Sequence, residues 1–206
     1  MVRNINSLHI GIISLFRTNY LSRFHIREMA KLLGKSHVSL LPYLKKFEKD
    51  RILKQKTIGK SKVYSINFEN DEVKEYLSFA EKAKTIDFIE KEFFIKKIYR
   101  ESAGLNLNGC LIIFGSYASG THTAKSDMDL LCIGNMRENE KKKIKELGKN
   151  YGKEIHLTII SSEKFDRELS RQNPLIKEII KNHIILHNHD IFINRLWRYY
   201  NERKEE

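Results

Sequence analysis

Residues 115–130, GSYASGTHTAKSDMDL, constrain this chain more than any other stretch. The run before them, Cys110 to Phe114, is short, continuous and apolar, as in a buried strand. It ends in a Gly115-Ser116 turn, and ten residues then separate Ser116 from Asp127. Asp127 and Asp129 open a second apolar run, and period-two spacing puts both carboxylates on one strand face. The segment from Gly120 to Ser126 is long enough to bring that strand back beside the turn. Solvated turn aspartates would be a simpler account, but acids flanked by Met128, Leu130 and Leu131 are costly to hold without a ligand.

A tight turn exposes the amides of Gly115 and Ser116 to phosphate oxygens, and the Ser116 hydroxyl adds a further donor. Asp127 and Asp129 can hold a magnesium ion that bridges those phosphates. Lys125 lies within reach of the same phosphates. With these residues the sequence resembles the minimal nucleotidyltransferase domain of the DNA polymerase beta superfamily, whose motif is a Gly-Ser turn, a gap of about ten residues and an Asp-x-Asp strand. The resemblance covers about residues 86–200. It implies a mixed sheet backed by helices and transfer of a nucleotide from an NTP, ATP first among them, to a hydroxyl. Mg2+ would assist and pyrophosphate would leave.

Two departures from the family pattern stand out. Many relatives carry an Arg where this chain has Ser119. The third carboxylate of the family sits on a later strand, here Glu154 to Ile160, where the best register puts His156. Glu154 is two residues earlier on the same face and can serve as a displaced third acid. His156 can act as a neutral base or metal ligand, or be an ordinary sheet-edge histidine. Minimal members of the family often modify a separately encoded helical partner in toxin–antitoxin pairs, so the resemblance also implies a protein acceptor.

The formal charge of +12 is unevenly placed. Residues 1–68 hold 14 Lys or Arg against 3 Asp or Glu, whereas the rest holds 24 against 23. The surplus locates a candidate polyanion-binding surface in the N-terminal third. Apolar spacing there predicts helices over Ile5–Phe16 and His25–Leu33, the second ended by Gly34. A third, capped by Ser36 or Ser39, is expected to run to about Lys49 and, because of Pro42, to start near Ser39, with Leu41, Leu44 and Phe47 inward. Strands over Ile52–Thr57 and Lys62–Asn67, joined at Ile58–Ser61, follow. This order resembles a winged helix-turn-helix. The resemblance implies that the third helix brings His37, Ser39, Tyr43, Lys45 and Lys46 to double-stranded DNA. Lys54, Lys56, Lys60 and Lys62 on the wing would meet phosphate or minor groove. A homodimer reading palindromic DNA follows from that geometry, and a protein-contact domain is the competing account.

Residues 70–101 read as one long connecting helix. The expected class is therefore α+β: a winged helix-turn-helix (1–68), a connecting helix (69–101) and a nucleotidyltransferase-like mixed sheet with helices (102–206). Cys110 and Cys132 fall in apolar runs and are expected as buried thiols of a cytoplasmic protein. No run is long enough to span a bilayer, and the N-terminus lacks the apolar core of a signal peptide. His187, His189 and Asp190 are close enough for a metal cluster, though an ordinary turn is preferred. Trp197 is expected as a core anchor. The intact turn and acid pair point to an NTP-dependent transferase. The histidine at the third acid's place points to a transcription regulator whose transferase-like domain senses nucleotide or is catalytically inactive.

Overall fold

The computed structural model describes residues 5–59, 61–105 and 107–204. The chain divides into two compact units, Met1–Ala80 with Leu196–Glu206, and Glu81–Arg195. In the first, Asn6 caps α1 (Ser7–Ser14), accepting from the amides of Leu8 and His9. A two-residue β1 (Phe24–His25) leads into α2 (Ile26–Leu33), which Gly34 ends at φ 62°. That left-handed conformation costs glycine little and satisfies the last carbonyls.

Helix α3 (His37–Lys49) starts two residues before the position that Pro42 suggests, because Ser36 Oγ accepts from the Ser39 amide at 3.2 Å. Pro42 lies inside the helix. It removes the donor for the Val38 carbonyl, and Val38 is exposed, so solvent can take that bond. Leu40, not Leu41, joins Leu44 and Phe47 in the core. Strands β2 (Leu53–Ile58) and β3 (Ser61–Ile66) form an antiparallel hairpin, and β1 completes a sheet in the order β1-β3-β2. This helix and strand region resembles a helix-turn-helix with a wing.

The stretch expected as one helix is two, α4 (Glu72–Lys91) and α5 (Phe93–Ala103). Glu92 between them is extended, at φ −125° and ψ 106°. The new direction of α5 buries Ile95 and Ile98 in the core of the second unit.

That unit is built on β4 (Gly109–Phe114), a short α6 (Gly115–Ser119), β5 (Met128–Gly134), α7 (Glu138–Asn150) and β6 (Ile155–Ile160). Helices α8 (Ser162–Ser170) and α9 (Pro174–Lys181) follow, then β7 (Ile184–His187) and α10 (His189–Asn201). The sheet order is β6-β5-β4-β7, with β5–β6 parallel and the other pairs antiparallel. Met128, Leu130 and Cys132 face a core shared with Leu111, Ile113, Ile144 and Ile155. Each such aliphatic side chain contributes roughly 1.5–3 kcal/mol on burial. On the opposite face of β5, Leu131 and Ile133 are buried, while Asp129 at the strand's beginning is partly open.

Both cysteines are free and buried. His187 Nε2 lies 2.6 Å from Ser102 Oγ and stacks on Tyr99, and His189 Nε2 lies 3.3 Å from Thr85 Oγ1. Both histidines are thus held by hydroxyls from distant helices, Ser102 of α5 and Thr85 of α4. Trp197 is buried and packs in the first unit on Phe68, with ring centroids 4.8 Å apart. Among the described residues no helix is long and apolar enough to cross a membrane.

Candidate active site

The strand pairing assembles the site. Phe114 of β4 pairs with Asp129 of β5, and Asp129 pairs with His156 of β6. The amide of Met128 donates to the Glu154 carbonyl at 2.9 Å, which brings the start of β5 beside the start of β6. Three strand ends thus converge at one corner of the sheet. Asp127, Glu154 and His156 each place a ligand atom there, all within 4.8 Å of one another. His156 Nε2 is 3.3 Å from Glu154 Oε1, and its Nδ1 is 3.6 Å from Asp129 Oδ1. The imidazole therefore bridges two carboxylates. Asp127, Glu154 and His156 are exposed, and the Asp129 side chain is about one-third open.

Gly115 is bound into this corner by its backbone. Its φ is 67°, and a Cβ there would collide with Asp129 Oδ2. The Asp129 carboxylate thus rests directly on the turn, which no other residue type would allow. The Ser116 carbonyl accepts from the amides of Thr121 and His122 at 3.0 and 3.2 Å. Ser119 Oγ donates to the same carbonyl at 3.1 Å and sits 2.9 Å from Thr121 Oγ1. The residue standing where relatives carry Arg is thus part of the turn's internal bonding. Lys125 lies on the exposed loop, its amide donating to Thr123 Oγ1.

Three residues that sequence reasoning passed over hold the loop. Lys153 Nζ donates to the carbonyls of Ala124 and Ser126 and lies 5.8 Å above the Tyr117 ring. Tyr117 donates to the Ser126 carbonyl at 3.4 Å and stacks on His122 at 4.2 Å. His122 Nε2 is 3.3 Å from Glu92 Oε1. No local pattern announces Lys153, since its partners precede it by almost thirty residues. An open groove of about 750 Å³ runs beside the acids, lined by Lys145 and Lys149 of α7 and by Gly152 to Thr158. It follows β6, an edge strand among the described residues.

In the N-terminal unit, His37, Ser39, Lys45, Lys56 and Lys62 are exposed. Tyr43 Oη accepts from Asn6 Nδ2 at 3.1 Å, Lys46 pairs with Asp50 at 3.1 Å, and Lys54 pairs with Glu69 at 2.6 Å. Lys60 lies outside the described residues. A smaller pocket of about 270 Å³ in this unit, lined by Tyr20, Arg23, Lys54 and Phe68 among others, has no cluster of metal-ligating groups among the described residues.

A mixed sheet whose strand ends gather acids against a glycine-serine turn is the arrangement that the sequence resemblance to nucleotidyltransferases implies. Consistent with this, residues 95–187 match the family described as nucleotidyltransferase domain, so the C-terminal part carries a domain of that family. No curated protein matches the chain. The chain is also similar to a solved structure described as "Crystal structure of the toxin-antitoxin with AMP-PNP". The alignment has 15% identity and a TM-score of 0.35, over 54% of this chain and 88% of that one.

Proposed function

We propose that the chain is a magnesium-dependent nucleotidyltransferase that moves a nucleotide from an NTP to an acceptor hydroxyl, and that its basic N-terminal unit binds duplex DNA. The observation that carries the catalytic part is the gathering of Asp127, Glu154 and His156 within 4.8 Å, beside Asp129 and the Gly115 turn. The donor set fits a small divalent cation. Ligands of one Mg2+ at bonds of about 2.1 Å lie no more than about 4.2 Å apart, and exposed side chains can close the small remainder. Hard carboxylate oxygens suit Mg2+ better than imidazole does, so Asp127 and Glu154 of that group would hold the metal, Asp129, 3.6 Å from His156, would join them as the side chains adjust, and His156 would be left for the proton. A bound Mg2+ would neutralise triphosphate charge and polarise the phosphoryl group under attack.

The amides of Gly115 and Ser116 and the Ser116 hydroxyl would orient the phosphates. Lys125 on the adjacent loop is a candidate to add charge to them. His156, held between two carboxylates, would take the proton of the acceptor hydroxyl. The acceptor oxygen forms a bond to the α-phosphorus as the bond to the bridging oxygen breaks, and pyrophosphate leaves with that electron pair. The lysine-lined groove along β6 opens onto the same corner and favours an acceptor with negative charge near its hydroxyl.

The test is covalent labelling. Incubation with each α-labelled NTP, ATP first, with Mg2+ and candidate acceptors, helical proteins and nucleic-acid ends included, should give label transfer. Asp127→Asn should abolish it and weaken Mg2+-dependent ATP binding by at least about tenfold. Wild-type ATP affinity that Asp127→Asn leaves unchanged would remove the basis of the proposal. One observation favours the second reading, a DNA-binding regulator with an inactive, nucleotide-sensing domain: the strand position opposite Asp129 holds a histidine, not an acid. Tight Mg2+–ATP binding that alters duplex affinity without any covalent transfer would support that reading.

A further inference from the structure

On α3, about 100° per residue places Val38, Leu41, Pro42, Lys45 and Lys49 along one stripe about 100° wide. Leu40, Leu44 and Phe47 lie opposite and are buried. Every member of the outer stripe is exposed, Val38 at 60% and Leu41 at 38%. Of the polar groups expected to read bases, His37 is exposed at the start of the helix and Lys45 lies on the stripe, whereas Ser39, Tyr43 and Lys46 sit on the flank and are engaged within the unit. Ser39 Oγ donates to the Ser36 carbonyl at 2.7 Å, Tyr43 Oη accepts from Asn6, and Lys46 pairs with Asp50. Beyond His37 in its first turn, what the helix offers to solvent along this stripe is an apolar strip with lysines at its C-terminal end.

Three adjoining apolar side chains held out on a helix, within a segment carrying 14 basic and 3 acidic residues, mark a contact surface for a polyanion. A helix of 10–12 Å diameter fits a major groove about 12 Å wide. The apolar group that B-DNA displays on its major-groove base edges is the thymine C5 methyl. We propose that α3 reads T·A-rich duplex DNA through thymine methyl contacts from Val38, Leu41 and Pro42, while Lys45 and Lys49 hold flanking phosphates. The inference rests on the reading of the N-terminal unit as DNA-binding, and it supplies the sequence preference of that surface.

The experiment titrates the full chain with a duplex of alternating dA and dT, and with the same duplex carrying dU for every dT. Uracil lacks only the methyl group. Burial of one methyl is worth about fourfold in affinity, so two or more contacts should make the dU duplex at least about tenfold weaker. The double variant Val38→Ser, Leu41→Ser, whose positions are exposed and outside the core, should cut the preference for the dT duplex to the fourfold or so that Pro42 alone can supply. Lys49→Gln should weaken both equally. Equal wild-type affinity for the two duplexes would overturn methyl readout while leaving DNA binding intact, as would discrimination that the double variant leaves undiminished. A double variant with unchanged duplex affinity but an altered oligomeric state would assign the strip to a protein contact instead. Absence of salt-dependent affinity for either duplex would bring down the DNA-binding reading and this proposal together.

Discussion

Replacing Gly115 with alanine should separate the fold from the site. At φ 67° a non-glycine residue is strained by about 1–2 kcal/mol. The added Cβ would also meet Asp129 Oδ2, with Cγ at 3.3 Å and the Asp129 Cβ at 3.5 Å. Only the carboxylate tip is in real conflict, and the Asp129 side chain is one-third exposed, so it can rotate away. Relief of the clash should therefore add little to the loss of stability. It should instead carry a proposed metal ligand off its position. Gly120→Ala is the matched control: its φ is 74°, and nothing lies within 4 Å of the Cβ it would gain. Urea denaturation should show both variants destabilised by a similar 1–2 kcal/mol or so. Calorimetric titration with Mg2+–ATP should show affinity reduced by at least about tenfold in Gly115→Ala and near wild type in Gly120→Ala. Equal nucleotide affinity in the two variants would refute the argument that the turn is a seat for Asp129.

Burial pushes His189 down to about 4, against about 6.5 in an unfolded chain. The unfolded state takes up the proton first as pH falls, so stability is full above about 6.5 and declines by about 3 kcal/mol by pH 4. Burial lowers His187 as well, in the same direction, so urea midpoints at pH 7.5 and 5 should differ less, but still differ, in His189→Gln; an unchanged slope would refute the assignment. Neutralising Lys45, Lys56 and Lys62 should weaken binding to all duplexes and flatten the log–log salt dependence by about 0.9 for each phosphate no longer neutralised. Unchanged affinity would remove these lysines from the interface. Burial also raises both thiols, Cys132 to about 11 and Cys110 well above its ordinary value. A thiol reagent at pH 8 should label them only in denaturant, and rapid labelling of the native protein would contradict their burial.

The parts of this molecule that the sequence made legible are those carried by one contiguous stretch. The apolar run, the turn and the Asp-x-Asp pair are all local, and β4 and β5 pair as that stretch implies. Errors appeared where a local signal competed with another. Pro42 argued for a late start to α3, but the Ser36 cap fixed an earlier one, and the core position passed from Leu41 to Leu40. The break at Glu92 falls just before the apolar run Phe93 to Ile95 with no glycine or proline to mark it, since it serves the burial of Ile95 and Ile98 under a sheet formed later in the chain. Lys153 and His122 acquire their places only through tertiary contacts.

The third position of the site depends on a different kind of information, the register of two parallel strands joined through α7. Met128 pairs with Ile155 and Asp129 with His156. A slip of one residue would turn Ile155 or Leu157 toward Asp129 and send Glu154 and His156 to the other face. That slip is opposed by apolar burial, because Ile155 sits in the core cluster with Met128 and Leu130. The hydrophobic pattern on one side of β6 thus holds the chemistry on the other. Substitutions at Ile155 that fill the core poorly should accordingly impair the site without touching any polar group in it.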